Sequence, residues 1–127
     1  MPMILPEELA SKSVIPAIRA LIVKRLVEDH DMTQEEAAKL LGVTQPAVSK
    51  YLHAKRGAAI KLTGIREIEK ATNEIAEMVS SHKAKPIEVM SKIEAACDYV
   101  RKNRYMCDLH KKLEPSMDVN SCHVCEQ

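Results

Sequence analysis

The chain has no tryptophan and no phenylalanine, and only three tyrosines. Its core must therefore be assembled from Ile, Leu, Val, Met and Ala. Strand signals are missing too, because strict apolar–polar alternation hardly occurs, while helical spacing of apolar residues recurs along the whole chain. The expected class is all-α. Glycine is almost absent, with three residues at 42, 57 and 64, and none forms a phosphate-cradling loop. No Ser/His/Asp or paired-carboxylate arrangement is present, so an enzyme is not expected. No run of eighteen apolar residues occurs, so no transmembrane helix or membrane partner is expected. The N-terminal MPMILPEELASK lacks a basic leader ahead of an apolar core. No signal peptide is expected from it, and a cytoplasmic location follows. The net charge of +1 excludes a general coat of basic charge, so any contact with nucleic acid must come from local clustering.

What is present is a twenty-residue stretch, Thr33 to Leu52, TQEEAAKLLGVTQPAVSKYL. It reads as two short helices joined by a tight turn. Thr33 is an N-cap, and Glu36 three residues on completes a capping box. Ala37, Ala38, Leu40 and Leu41 give the first helix its apolar face. Gly42 ends that helix where positive φ is needed. Thr44 caps the second helix, and Pro46 falls in its first turn, where a missing N–H matters little. Val48, Tyr51 and Leu52 form the inward face, leaving Gln45, Ser49 and Lys50 pointing outward. Such a pair presents a reading helix to the major groove of double-stranded DNA.

Ala38, then Gly42 four residues on, then Val48 six further, is a sharper pattern than any one feature. With LGVTQPAVSKYL, it resembles the Cro and phage-repressor-like class of helix-turn-helix regulators. With flanks, the resemblance covers roughly residues 14 to 62. It implies a groove-facing role for Thr44, Gln45, Pro46, Ser49 and Lys50, and a phosphate contact for Gln34. Gln45 suits adenine, and Lys50 suits guanine. Proline at position 46 departs from many members of the class and leaves only an apolar contact, to a thymine methyl.

Charge clusters over the same stretch. From Ala37 to Arg66 the chain carries Lys39, Lys50, Lys55, Arg56, Lys61 and Arg66 without one Asp or Glu. Lys55 and Arg56, just past the reading helix, are phosphate candidates by charge alone. Neutralising phosphates releases counterions and makes binding steeply salt-dependent. Before this unit, Pro16 starts a scaffold helix running to about Glu28, behind a boundary at Ile15-Pro16. After it, a helix from Thr63 or Gly64 to about Ser81 carries Ile65, Ile68, Thr72, Ile75 and Val79 at heptad spacing. That spacing fits a homodimer seam or an intramolecular stripe. A further helix starts at Pro86, with Ile87, Met90, Ile93, Cys97 and Val100 on one face, and Asn103 is expected to end it in a left-handed cap. Two segments follow from this reading. Residues 1–62 form the DNA-binding domain, and residues 63–127 hold dimerisation helices and a cysteine region.

All four cysteines lie in that second segment: Cys97, Cys107, Cys122 and Cys125. In a reducing compartment they are expected to bind a metal or cluster rather than to form disulfides. Cys122 and Cys125 are close enough in sequence to face one centre. On an unbroken helix Cys97 and Cys107 would stand about 15 Å apart, so the chain must turn between them, near Arg101 to Arg104, if both are ligands. His110, three residues after Cys107, is the alternative to Cys97. One close pair with two isolated cysteines leans to an iron–sulfur cluster, with zinc as the alternative. The chain also resembles small archaeal predicted regulators that join this helix-turn-helix to a cysteine-bearing C-terminal region, which implies a metallo-sensor. The expected function is a homodimeric, sequence-specific transcription regulator. A regulator with inert structural zinc and a small redox protein are the alternatives.

Overall fold

Five residues spaced along Val14–Glu28, namely Val14, Ile18, Ile22, Val23 and Leu26, are fully shielded from solvent. They explain why this helix, α2, is the axis of the fold. Their near-fourfold spacing makes one continuous stripe. A computed structural model describes residues 3–53 and 60–126. The element order is α1 (Pro6–Lys12), α2, α3 (Gln34–Leu41), α4 (Gln45–His53), α5 (Arg66–Ser80), α6 (Pro86–Lys102) and α7 (Cys107–Leu113), then a 3₁₀ turn at Val124–Glu126. Among the described residues there is no strand. Helix α2 packs most extensively on α5 and α4, and also touches α1, α3 and α6. One core cluster runs from Leu9 to Met106, so residues on both sides of position 62 share it.

The start of α2 differs from the expected boundary at Ile15-Pro16. The break falls at Ser13, which has φ −130° and ψ −65°. Its hydroxyl donates to the Leu9 carbonyl at 2.6 Å and turns the chain from α1 into α2. Pro16 is thus the third helical residue, where the backbone N–H has no intrahelical partner to lose.

The heptad-spaced residues of α5 are spent inside the chain. Ile68, Thr72, Ile75 and Val79 are buried, and Thr72 hides its hydroxyl by donating to the Ile68 carbonyl at 2.9 Å. The spacing is that of an intramolecular stripe. Helix α6 behaves differently. Its C-terminal half buries Ala96, Cys97 and Val100, whereas Ile87 and Met90 are 63% and 59% exposed. Its apolar face therefore runs past the core.

The left-handed residue after α6 is Arg104 (φ 64°), one position later than expected. Asn103 stays near the helical region at φ −94°, ψ 14°, because its side-chain amide donates to the Tyr99 carbonyl at 2.9 Å and extends the last turn.

Ile68→Ala is expected to lower the unfolding free energy by about 2–5 kcal/mol, through lost burial and a residual cavity. Leu113→Ala, at a 53% exposed position, should change it by less than about 0.5 kcal/mol. Urea titration of both variants checks this. Equal small losses would mean that the α5 stripe is not core.

Candidate nucleic-acid interface and thiol cavity

The Thr33–Leu52 unit forms as its residues dictate. Thr33 accepts the Glu36 backbone N–H on its hydroxyl oxygen at 3.1 Å, although the return bond of a full capping box is absent among the described residues. Gly42 takes φ 70°, a conformation that strains any residue with a Cβ. The Val43 N–H then closes onto the Ala38 carbonyl at 3.0 Å, sealing the end of α3. Thr44 accepts the Ala47 N–H at 3.3 Å and starts α4. Ala37, Ala38 and Val48 are buried. Small residues on α3 let α4 approach closely, and Val48 anchors α4 in the core.

That anchoring leaves the other side of α4 to solvent. Thr44, Gln45, Pro46 and Lys50 are exposed, and Ser49 is half-buried. Gln34, at the start of α3, is half-buried and sits beside α4. The Gln45 side-chain Nε2 donates to the side-chain Oε1 of Gln34 at 2.7 Å. This bond was not foreseen from the sequence, because it joins residues eleven apart across the turn. Its chemical consequence is specific. An amide has two N–H groups and one oxygen. One N–H of Gln45 is held by Gln34, which leaves the other N–H and the oxygen as the donor–acceptor pair that matches adenine in the major groove.

Lys39, Lys50, Lys61 and Arg66 are exposed, and among the described residues none of them is in an ion pair. They are available to phosphates. Lys55 and Arg56 lie outside the described residues.

The cysteines separate into two environments. Cys107, Cys122 and Cys125 line one small cavity of about 20 Å³ with His110, Arg104 and Met106 among its other walls. Cys97 is not at that cavity. It is buried on the α6 face of the core, with the charges of Glu94, Asp98, Arg19 and Arg101 around it. The expected ligand set with Cys97 is therefore not assembled, because α6 turns its Cys97 face into the core while the turn at residues 103–106 carries Cys107 away. The four residues of the set with His110 all line the cavity. Among the described residues, no three Cys, His, Asp or Glu groups already stand close enough to hold an ion.

Arg104 organises this region. Its guanidinium donates to the carbonyls of Val119 and Cys122 and to the Glu126 carboxylate, the last two at 2.6 Å each. These bonds tie the C-terminal tail back to the end of α6. They also hold the Glu126 carboxyl below its usual range, with His123 adding to the effect. Polar bonds of this kind hold the tail in place. On α7 the buried His110 pairs Nε2 with Glu114 at 3.3 Å, and Glu114 also accepts the Ile4 N–H at 2.9 Å. Sequence reading missed Arg104 and Glu114. The Arg104 partners lie 15 to 22 residues away and the Ile4 partner of Glu114 lies 110 away, contacts that no local pattern marks, whereas the i,i+4 spacing of His110 and Glu114 on α7 was a local signal.

The sequence model of the Cro family matches residues 22–69, from the second half of α2 to the first turn of α5. The chain is all-helical and carries a Cro-type helix-turn-helix domain. The match supports a DNA-binding regulator of that type. No curated protein and no solved structure matches the chain. Among the described residues no helix is long and apolar enough to cross a membrane.

Burial pushes the Cys97 thiol up from 9.0 to about 11, with Glu94 and Asp98 adding to the shift. A raised thiol pKa means that the unfolded chain loses this proton first. The contribution of Cys97 to stability is thus complete below about pH 9 and is lost as pH rises toward 11. With a chelator present at pH 8, iodoacetamide is expected to modify Cys122 and Cys125 while Cys97 stays free, since only about one Cys97 in a thousand is then a thiolate. Peptide mass mapping checks this. Equal modification of all four thiols would contradict the burial of Cys97.

Proposed function

We propose that the protein is a sequence-specific transcription regulator that inserts α4 into the major groove of double-stranded DNA. The observation that carries the reading is the Gln34–Gln45 bond on an outward helix face whose opposite side is anchored by Val48. Thr44, Gln45, Pro46 and Ser49 meet base edges or the thymine methyl, Lys50 meets guanine, and Gln34 meets phosphate while steadying Gln45. Lys55 and Arg56 remain phosphate contacts by charge. The reading assigns no catalysis and a cytoplasmic location. One helix reads few bases, so two protomers act together as a homodimer. With the α5 stripe buried, this reading gives that contact to α6, where Ile87 and Met90 are exposed.

Gln45→Ala and Lys50→Ala are each expected to weaken specific binding by about 1–3 kcal/mol and to relax base preference. Gln34→Ala should act in the same direction. A double-mutant cycle of Gln34→Ala with Gln45→Ala should show coupling of about 0.5 kcal/mol or more. The assay is fluorescence anisotropy on duplexes selected from a random pool. The selected site should be a near-palindrome with half-sites about 34–36 Å apart, or a multiple of that. Unchanged affinity and preference in both single variants would sink the reading.

The thiol cavity is the second part of the proposal. A metal centre there would join the end of α6 to the tail and give the regulator a place to sense metal or redox state. The sequence reading leans to an iron–sulfur cluster on Cys97, Cys107, Cys122 and Cys125. Two observations favour the zinc alternative on Cys107, His110, Cys122 and Cys125. The cavity has room for about one water-sized particle, too little for a cluster. Glu114 beside His110 is also the kind of carboxylate partner that orients a ligating imidazole. Zinc there would supply a cross-link of four donors. One zinc per chain is expected in metal-replete protein, lost in Cys122→Ser and His110→Ala and kept in Cys97→Ser. Iron with sulfide, lost in Cys97→Ser, would restore the cluster assignment.

A further inference from the structure

A second cavity lies away from the cysteines, between α2, one edge of α4 and residues 60–63. Its volume is about 490 Å³, within the roughly 300–1,000 Å³ of small-molecule sites. The wall from α2 is apolar, with Pro16, Ala17, Ala20 and Leu21, and Ile60 and Leu62 face it from the following segment. Four lysines also line it: Lys12, Lys24, Lys50 and Lys61. They come from α1, α2, α4 and the segment before α5, and all four are exposed. Among the described residues no Asp or Glu lines the cavity, and none of the four lysines is in an ion pair.

Four cations around one cavity repel one another, and an anion among them relieves that repulsion. A bare anion would leave the apolar wall wet. The complement to both features is one molecule with an acidic head and an apolar body. Lys50 is the residue that the proposed function gives to DNA, so the same cation serves two anions in competition.

We propose that this cavity binds a small amphipathic organic acid, and that the bound acid engages Lys50 and weakens DNA binding. The second half rests on the DNA-binding reading of α4; the first half does not. Direct binding separates them.

The probes are straight-chain carboxylates from hexanoate to dodecanoate, titrated calorimetrically into DNA-free protein below their micelle-forming concentrations. Acetate, inorganic phosphate and decanol are controls. Affinity is expected to rise about fourfold per added methylene until the apolar wall is covered. Acetate and phosphate lack the body and decanol lacks the charge, so each should bind at least tenfold more weakly than decanoate. Ala20→Phe puts a ring into the cavity against its apolar wall and should weaken decanoate binding at least tenfold, with an unchanged unfolding midpoint showing that it folds. Lys24→Gln, at an exposed position, should weaken binding severalfold. Decanoate should lower the DNA affinity of the unaltered protein but not that of Ala20→Phe, which should bind DNA normally. No binding by any carboxylate, affinity independent of chain length, or full binding by folded Ala20→Phe would overturn the site. Decanoate binding that leaves DNA affinity unchanged would overturn the coupling through Lys50. Failure of DNA binding without ligand would count against the α4 reading alone, and the calorimetry would still decide the cavity.

Discussion

The burial of one side of α4 on the α2 core is the constraint from which the rest follows. Val48 is fully shielded, and Tyr51 and Leu52 are half-buried around it. A helix of nine residues is too short to persist alone. It exists because α2 and α3 take up its apolar side, and that fixes which residues remain outside. Gly42 sets the turn, Thr33 and Thr44 set where the helices begin, and the Gln34–Gln45 bond locks the two starts together. A site built on two packed helices is more rigid than one on a loop, which is what base reading requires.

Much of this unit was legible in the sequence because its determinants are local. Caps act within three residues, a positive φ selects glycine at the position itself, and the inward face follows from helical spacing. The boundary of α2 was not legible in this way. Proline reads as a break, but it is equally at home in a first turn, and the Ser13 hydroxyl decides the matter by reaching back to Leu9. The heptad spacing of α5 was ambiguous for a related reason. Spacing says that a face is apolar and leaves open what covers it, and here the cover is the chain's own α2 and α6.

The tail shows where local reading stops. Its order depends on one guanidinium that spans 15 to 22 residues, and on Glu114, which bonds the backbone of Ile4 across the whole chain. Cysteine spacing pointed to a shared centre for Cys122 and Cys125, but it could not choose between Cys97 and His110. The turn after α6 leaves Cys97 in the core and brings Cys107 and His110 to the cavity, which is what favours the proposed set with His110. Reading unit and tail are joined through the same core, since α2 contacts α3, α4, α5 and α6. Any change at the thiol cavity would have to reach α4 by that route, and it would do so only if the two states of the tail favour different packings.

The central claim is that α4 lies in the major groove with Gln45 and Lys50 at base edges. Dimethyl sulfate footprinting of a selected duplex tests it most directly, because that reagent methylates guanine N7 in the major groove and adenine N3 in the minor groove. Protection of guanine N7 at two positions, one in each half-site, with adenine N3 left reactive, is the expected result. Protection confined to the minor groove, or none at a protein concentration that saturates the duplex, would contradict the account.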